Sequence, residues 1–453
     1  MSNLFSSLRS SAGALSVLER ALSVTQNNVA NASTPGYAKQ RLAILSRPFS
    51  PEFGVSGGVY SGGLLSSRSI YAEQHVRRGW ESAGFYAQRE TALAQLEPVF
   101  EIGPNAGLGA AFSRFFQSFS ALAVAPADPA AREVVIASAE SVAQTFQTTA
   151  RGVADSVQFA KQGIRDVTGE INRIAAAIRD LNDEVRRGGE ALRTDPSMEA
   201  AYSSNLEQLS ELVDFTALEQ ADGTYTILMG GEEPIVLGDQ LNRITADTAG
   251  IPARIFNSDN QDISAKIHRG RLSALLDTGN RLLPGYEADL NRLAKEFADD
   301  VNAALAGGLD ANGLTPAIDL FTYSGAGEAL SISVTAIQPD QIAAAGAGAA
   351  GSNTNALALV ALGDSAAVDG QTFTSFYGSV AGRLGRELVS ARESASRHES
   401  LVQQAKSLRE ELSGVSLDEE AIYLMQFQRA YQANAQMVST LNELTESVLQ
   451  MLR

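Results

Sequence analysis

Cysteine is absent from this 453-residue chain. Its absence excludes disulfides, thiolate-ligated zinc, iron–sulfur clusters and a cysteine nucleophile. Either the thiol is simply not needed, or the protein works in an oxidising exterior or is exported unfolded, where free thiols are a liability. Histidine is scarce: His75, His268 and His398 are the whole set, and no two stand at a metal-ligand spacing. The single tryptophan, Trp80, reads as a core residue or a domain-junction anchor rather than a stacking platform. No P-loop, nucleophile elbow or HExxH run occurs. No stretch approaches ~18 consecutive apolar residues, so no transmembrane helix is expected. The opening MSNLFSSLRSSAGALSVLERAL lacks a long apolar core behind a basic start, so no general secretory signal is expected either. These absences point to a chain that is cytoplasmic or exported by a signal-less route. Basic charge is in deficit too: 35 Lys and Arg face 52 Asp and Glu, a net of −17. Nucleic acid and anionic membranes repel such a surface.

What is present is apolar and periodic. Hydrophobic residues make up 44% of the chain and charged residues 19%, enough for real cores. At about 100–200 residues per domain, two to four domains are expected. Leu4, Leu8, Ser11, Leu15, Leu18, Leu22, Thr25 and Val29 step by fours and threes, which puts them on one helix face. The other faces carry Ser, Asn and Gln rather than charge, as in a helix that touches neighbours on several sides. Asn31 and the run Ser33-Thr34-Pro35-Gly36 stop it. Residues 47–67 read as a Gly- and Pro-rich loop with short strand pieces such as Val59-Tyr60.

In the middle, Ile164, Val167, Ile171, Ile174, Ile178, Leu181 and Val185 form an unbroken a/d seam. That spacing predicts a long helix packed along another, ended by Gly188-Gly189. Residues 198–213, with Leu206, Leu209 and Leu212, are one candidate partner. Tyr286, Leu290, Leu293, Phe297, Val301 and Leu305 mark another. Within 222–267, Thr224–Leu228, Ile235–Leu237, Ala253–Phe256 and Ile263–Ile267 are short β-prone runs between turn residues. Ser331–Val334 reads as one more strand. A helical pattern returns from Phe376 to Leu412, and Gly414 breaks it. Ser416 and Glu419 then have capping-box spacing, with Asp418 and Glu420 adding charge near the helix's positive end. Leu417, Leu424, Phe427, Tyr431, Val438, Leu441, Val448 and Leu452 mark one face of this last helix.

The expected fold is mainly α with an inserted small β domain, in an elongated multidomain chain that goes out and comes back. Residues 1–70 and 413–453 form a terminal domain of paired, coiled-coil-like helices in this reading. Residues 71–215 and 268–412 form a long-helix bundle, and residues 216–267 the outermost β domain.

Apparent chemical motifs dissolve on inspection. Gly346-Ala-Gly348-Ala-Ala-Gly351 fits a dinucleotide fingerprint, but no strand leads directly into it. Asp310-Ala-Asn312-Gly313 opens like a calcium loop, yet its twelfth position is Phe321 where a bidentate Glu is needed; a plain Asx turn is expected. His398 lies in a helical pattern and reads as packed or solvated. Asp299-Asp300 and Glu419-Glu420 point to different helix faces and make no paired-carboxylate site. No catalytic set, cofactor site or metal site is expected.

Two segments carry a family signature. Asn27-Asn28-Val29-Ala30-Asn31-Ala32-Ser33-Thr34-Pro35-Gly36-Tyr37-Ala38-Lys39-Gln40 resembles the NNxANxxTPGY signature of flagellar rod, hook and hook-associated proteins. Its Ser-Thr-Pro-Gly-Tyr form is similar to that of the hook-associated members. Ser413-Gly414-Val415-Ser416-Leu417-Asp418-Glu419-Glu420, followed by Phe427-Gln428-Arg429-Ala430-Tyr431-Gln432-Ala433-Asn434-Ala435, resembles the family's SGVNLDEE…FQQAYQANA end. Ser416 replaces the usual Asn and keeps N-cap chemistry. Gly308-Leu309-Asp310-Ala311-Asn312-Gly313 also resembles a family loop.

The resemblance implies a non-enzymatic axial subunit of the bacterial flagellum, assembling as a ring between hook and filament. It implies that Leu4, Leu8, Leu15, Leu18, Leu22, Val29, Asn31, Pro35, Gly36 and Tyr37 serve the axial core and self-assembly. It assigns Leu417, Leu424, Phe427, Tyr431, Val438, Leu441 and Val448 to C-terminal assembly and to a cytoplasmic export chaperone. The implied partners are further copies of the chain, the hook protein, a second hook–filament junction protein and that chaperone. No nucleic acid, membrane, cofactor or small-molecule substrate is implied. The implied location is the extracellular flagellum, reached by type III export after a transient cytoplasmic stage.

Overall fold

The structure is a computed structural model and describes residues 2–50, 55–101, 103, 106–348 and 351–451. Leu452, residues 51–54 of the Gly- and Pro-rich loop, and Ala349-Ala350 of the glycine run lie outside the described residues. The helices, in chain order, are α1 (Ser2–Ala30), α2 (Ile70–Leu96), α3 (Gly107–Val124), α4 (Pro129–Gly188), α5 (Glu190–Arg193) and α6 (Pro196–Leu212). They continue with α7 (Gly270–Asp277), α8 (Leu283–Ala306), α9 (Glu328–Ser331), α10 (Thr354–Leu362), α11 (Phe373–Ser413) and α12 (Leu417–Met451). The fold is mainly α, as expected. Among the described residues no helix is long and apolar enough to cross a membrane.

Local chemistry sets the helix ends. Pro129 and Pro196 each open a helix where a missing N–H costs nothing. Just before them, Asp128 and Asp195 accept the N–H of Ala130 at 3.0 Å and of Ser197 at 2.8 Å. Gly189, at φ +60°, ends α4 where the sequence placed its stop. The predicted seam of α4 is real: Ile164, Val167, Ile171, Ile174, Ile178 and Val185 are buried, and Leu181 is half-buried. The same face continues upstream through Val135, Val142, Phe146, Val153 and Val157, so this helix reaches 60 residues. Both expected partner helices form. α6 buries Leu206, Leu209 and Leu212, and α8 buries Tyr286, Leu290, Leu293, Phe297, Val301 and Leu305.

Packing divides the chain into two compact units. One comprises Met1–Ala83, Glu170–Arg243 and His398–Arg453. In it α1 and α12 pack along each other, as expected of the terminal helices. Strands β1 (Gln40–Ser46), β2 (Phe49–Ser50), β3 (Val55–Ser56) and β4 (Val59–Ser66) follow α1, with β1 paired antiparallel to β4 and β2 to β3. Strands β5 (Phe215–Glu219), β6 (Tyr225–Met229), β7 (Glu233–Leu237) and β8 (Gln240–Leu241) make an antiparallel sheet in chain order.

The second unit comprises Gly84–Gly169 and Ile244–Arg397. Short antiparallel pairs decorate it: β9 (Thr245–Asp247) with β10 (Arg254–Phe256), then β11 (Gly308–Leu309), β12 (Phe321–Thr322), β13 (Ser333–Val334) and β14 (Ala345–Gly346), paired β11–β14 and β12–β13. Its core is aromatic. Phe297 lies fully buried with the rings of Phe112, Phe115, Phe146, Phe321 and Phe373 around it, all at centroid distances of 6.2 Å or less. Edge-to-face and tilted contacts of this kind add to the area buried.

Three expectations change. The 216–267 segment is not one β domain: β5–β8 fall in the first unit and β9–β10 in the second, with no ladder between them. Ile263–Ile267 is a 3₁₀ turn rather than a strand, because Asp262 captures the Ser264 N–H at 3.0 Å and turns the backbone. Ser331–Val334 shrinks to two strand residues. Ser331 closes helix α9 instead, donating its hydroxyl to Gly327 O at 2.8 Å.

Replacing Phe297 by Ala removes the ring at the centre of the second unit's core. The expected loss is about 3–5 kcal/mol of stability, read by urea unfolding of the purified chain. A loss below about 1 kcal/mol, the effect of a typical point mutation, would mean the cluster is not packed as described.

Candidate functional site: the clasp between the terminal motifs

The two signature segments, at opposite ends of the sequence, meet at one buried asparagine. Asn28, in the last turn of α1, is 1% exposed. Its Nδ2 donates to Gln40 O at 2.9 Å and to Glu420 Oε2 at 3.0 Å. Its Oδ1 accepts the Tyr37 hydroxyl at 2.9 Å and the Gln40 N–H at 3.0 Å. All four hydrogen-bonding positions of the amide are filled, which is what full burial of an Asn demands. Burial, then the charges of Glu420 and Glu199, push the Tyr37 hydroxyl up to about 12, so it remains a donor.

Lys39 supplies the charge that lets Glu420 be buried. Its Nζ reaches Glu419 Oε2 at 2.6 Å and Glu420 Oε1 at 3.4 Å. The second contact is an ion pair without hydrogen-bond geometry. The Tyr423 ring faces the same ammonium, 5.7 Å from its centroid. Backbone bonds close the joint: Lys39 N–H donates to Ser413 O at 2.9 Å, and Ser69 N–H to Ser413 Oγ at 3.1 Å. The expected capping box at Ser416 and Glu419 is therefore half made. Ser416 Oγ accepts the Glu419 N–H at 3.4 Å, but the Glu419 carboxylate goes to Lys39.

The Thr-Pro-Gly-Tyr turn has its own reason. Thr34 N–H donates to Asn31 O and Tyr37 N–H to Thr34 O, at 2.9 and 3.1 Å. Gly36 sits at φ +77°, and a Cβ there would lie 2.7 Å from Ala200 O of α6. Only glycine meets both conditions. Its carbonyl accepts Arg68 Nη2 at 2.5 Å.

Arg68 opens a chain of charges. It pairs with Glu73 at 2.6 Å and Glu199 at 2.7 Å. Glu73 also pairs with Arg409 at 3.3 Å, and Arg409 with Glu207 at 2.6 Å. Glu207 takes Lys406 at 3.1 Å and the Trp80 indole N–H at 3.0 Å. Trp80 is thus a half-buried anchor joining α2 to α6 and α11. Burial pushes the Glu207 carboxyl up, but Arg409, Trp80 and Lys406 outweigh it and hold it below the usual carboxylate range.

The contacts of this site position helices against one another. Among the described residues no cluster could hold a metal ion. The Asp310 carboxylate accepts the N–H groups of Asn312 and Leu314 at 2.8 and 2.9 Å, the turn expected there.

Residues 93–321, just over half of the chain, match the family described as Flagellar hook-associated protein FlgK helical domain. The chain belongs to that family. Its two ends match wider flagellar families: residues 8–37 the Flagella basal body rod protein family, and residues 407–451 the Flagellar basal body rod FlgEFG protein C-terminal family. The Flagellar hook-associated protein 1 of Bacillus subtilis is 27% identical over 99% of this chain and 98% of its own length. The Salmonella typhimurium protein of the same name is 25% identical over 66% of this chain and 56% of its own length. The solved flagellar hook junction protein FlgK from Burkholderia pseudomallei shares the fold, with a TM-score of 0.67 at 15% identity, over 75% of this chain and 99% of that one.

The family's expected assembly residues are only partly covered in the single chain. Leu4, Leu8, Leu15, Leu18 and Leu22 are half-buried and Val29 is 41% exposed. The fully buried line of α1 is rotated from them, through Ser11, Val17, Ala21, Thr25 and Asn28. Asn31, Gly36 and Tyr37 are half-buried and Pro35 is exposed. On α12, Leu424, Phe427, Val438, Leu441 and Val448 are half-buried, whereas Leu417 and Tyr431 are exposed. Asn28 and Lys39 lie inside the first motif, where the sequence assigns them no role of their own. The signal was Lys39 in one motif and the acidic run 418–420 in the other. Nothing in the sequence marked Arg68, Glu73, Glu199, Glu207 and Arg409 as partners.

Replacing Asn28 by Ala leaves Glu420 and the Gln40 backbone without their buried partners. The expected cost is about 2–4 kcal/mol locally, seen as faster hydrogen exchange at residues 417–430. Unchanged protection there would remove Asn28 from the clasp. Because the Glu207 pKa is depressed, its contribution is present above the ordinary glutamate value and lost as pH falls through the lower folded value. Glu207→Gln is expected to lower stability at neutral pH and to flatten the acid limb of the stability curve. A parallel shift at all pH values would contradict this.

Proposed function

We infer that this chain is a structural subunit of the bacterial flagellum that assembles as a junction ring between hook and filament and allows the filament to form. The observation that supports it best is the Asn28–Glu420–Lys39 clasp, which sets α1 beside α12 and leaves apolar side chains of both helices open. Besides Val29, the exposed set includes Phe5, Ile422, Met425, Met437 and Leu444. Apolar side chains exposed in a single copy become buried when copies pack side by side.

In this reading Leu4, Leu8, Leu15, Leu18, Leu22 and Val29 pack between subunits, and the Asn31–Tyr37 turn fixes the exit of α1. Leu417, Leu424, Phe427, Tyr431, Val438, Leu441 and Val448 serve assembly. Before export the same face lies in a groove of a cytoplasmic chaperone, since an amphipathic helix needs its apolar face covered. The hook protein and a second junction protein are the neighbours above and below. The chain performs no catalysis; its work is geometric. It passes from the cytoplasm through the type III apparatus to the outside of the cell.

Electron microscopy of a strain lacking the gene tests this. Hooks without filaments, and flagellin shed into the medium, are the expected outcome. Missing hooks would place the chain upstream, in hook or rod. Normal flagella would sink the reading. Removing residues 415–453 is expected to give the same phenotype while the aromatic core of the second unit stays folded.

A further inference from the structure

One cavity of the second unit is lined by polar groups that the fold leaves unused. It holds about 270 Å³ and lies between α2, α4 and the junction of α7 with α8. Gly163 of α4 lets two walls approach, since a Cβ there would stand 2.9 Å from the Leu275 side chain of α7. The junction is a π turn over Thr278–Leu282. Such turns are common at functional sites. Thr278 lines the cavity and is 1% exposed. Thr149 and Thr168 of α4 donate their hydroxyls to the carbonyls of Thr145 and Ile164, at 3.0 and 2.7 Å. Thr278 makes no such bond, and its buried hydroxyl has no partner among the described residues. A ligand that offers one removes the cost of leaving it unpaired.

Other side chains of the wall are equally uncommitted. Gln88 and Gln95 of α2 make no side-chain hydrogen bond among the described residues, and half-buried Arg271 of α7 makes neither hydrogen bond nor ion pair there. Asp166, the carboxylate on this wall, accepts Gln162 Nε2 at 2.7 Å. Phe159 lines the same cavity and is 65% exposed, the one exposed phenylalanine of the second unit among the described residues. An exposed ring beside free amides has a chemical match. The C–H groups on one face of a sugar ring carry partial positive charge and rest on the negative face of an aromatic ring. An amide offers donors and an acceptor together, which is what hydroxyls on neighbouring carbons need. A net charge of −17 disfavours a polyanionic ligand. The volume lies just below the ~300–1,000 Å³ of sites for drug-sized molecules, which suits a single ring.

We propose that this cavity binds the terminal sugar of a neutral glycan. The sugar ring stacks on Phe159. Its hydroxyls bond Gln88, Gln95 and Arg271, and one of them partners the Thr278 hydroxyl. A single copy of the chain is enough for this binding, so it stands apart from the ring between hook and filament.

The purified chain is titrated with the methyl glycosides of glucose, galactose and N-acetylglucosamine, which mimic terminal sugars, and binding is followed by ligand-observed NMR. At least one is expected to bind. Phe159→Ala is expected to weaken it about tenfold, the affinity that an aromatic stacking contact is worth. Thr278→Val keeps the side chain's shape and is expected to weaken it about fivefold, the share of one hydrogen bond. The melting temperature of Thr278→Val is expected to stay level or rise, since no internal partner is lost. No binding by any of these glycosides, or binding that survives Phe159→Ala unchanged, would overturn the proposal. Binding by the free sugars alone would overturn the assignment to a glycan end. A lower melting temperature for Thr278→Val would make its hydroxyl an internal support and remove it from the site. The chain has no cysteine, so Phe159→Cys reports on access to the cavity in isolated flagella. It is expected to react with a maleimide there as it does in the purified chain. Protection in flagella would mean that a neighbouring polypeptide covers the cavity, and would overturn the sugar site.

Discussion

A carboxylate held away from water must be met by charge and by donors, or it takes up a proton. Glu420 is 2% exposed, and everything near it answers that demand. Lys39 brings the charge and Asn28 brings a donor while spending its other three positions on Tyr37 and Gln40. Because Asn28 ends α1 and Glu420 begins α12, satisfying one buried carboxylate fixes the relative register of the two terminal helices. Gly36, Arg68 and Ser413 then hold the exit loop and the end of α11 against the same joint.

The two units stand in different energetic regimes. The second unit is closed, with a continuous apolar core in which six phenylalanines interlock. The first buries an apolar layer of its own, including Ile171, Ile174, Ile178, Leu206 and Leu209, and adds polar specificity: the clasp, and the relay from Arg68 through Glu73 and Arg409 to Glu207. Buried ion pairs of this kind contribute little net stability when compared with apolar packing, but removing one partner is severe. The leucines of α1 are buried only halfway in the single chain, unlike the apolar residues at the centre of either unit.

Membership of the hook-associated family accounts for why the two ends of the chain match rod-type families while the centre matches a helical domain of its own. The ends hold the clasp residues, and the centre holds the continuous aromatic core.

The sequence by itself determined the helical elements and much of their packing. The α4 seam, the α6 and α8 faces and the Pro and Gly stops were all legible, because helical burial repeats every three to four residues and needs no distant partner to be seen. It determined the family too, since the two motifs are short and local. It did not determine which strands share a sheet, so β5–β8 and β9–β10 read as one domain until the pairing separated them. It did not show that Glu419 would leave its capping role for Lys39, nor that Asn28 would be the buried centre of the site. Those outcomes depend on groups up to 392 residues apart in sequence being brought within 3.0 Å. Only the tertiary fold decides which charges lose their water together, and therefore which of them must pair.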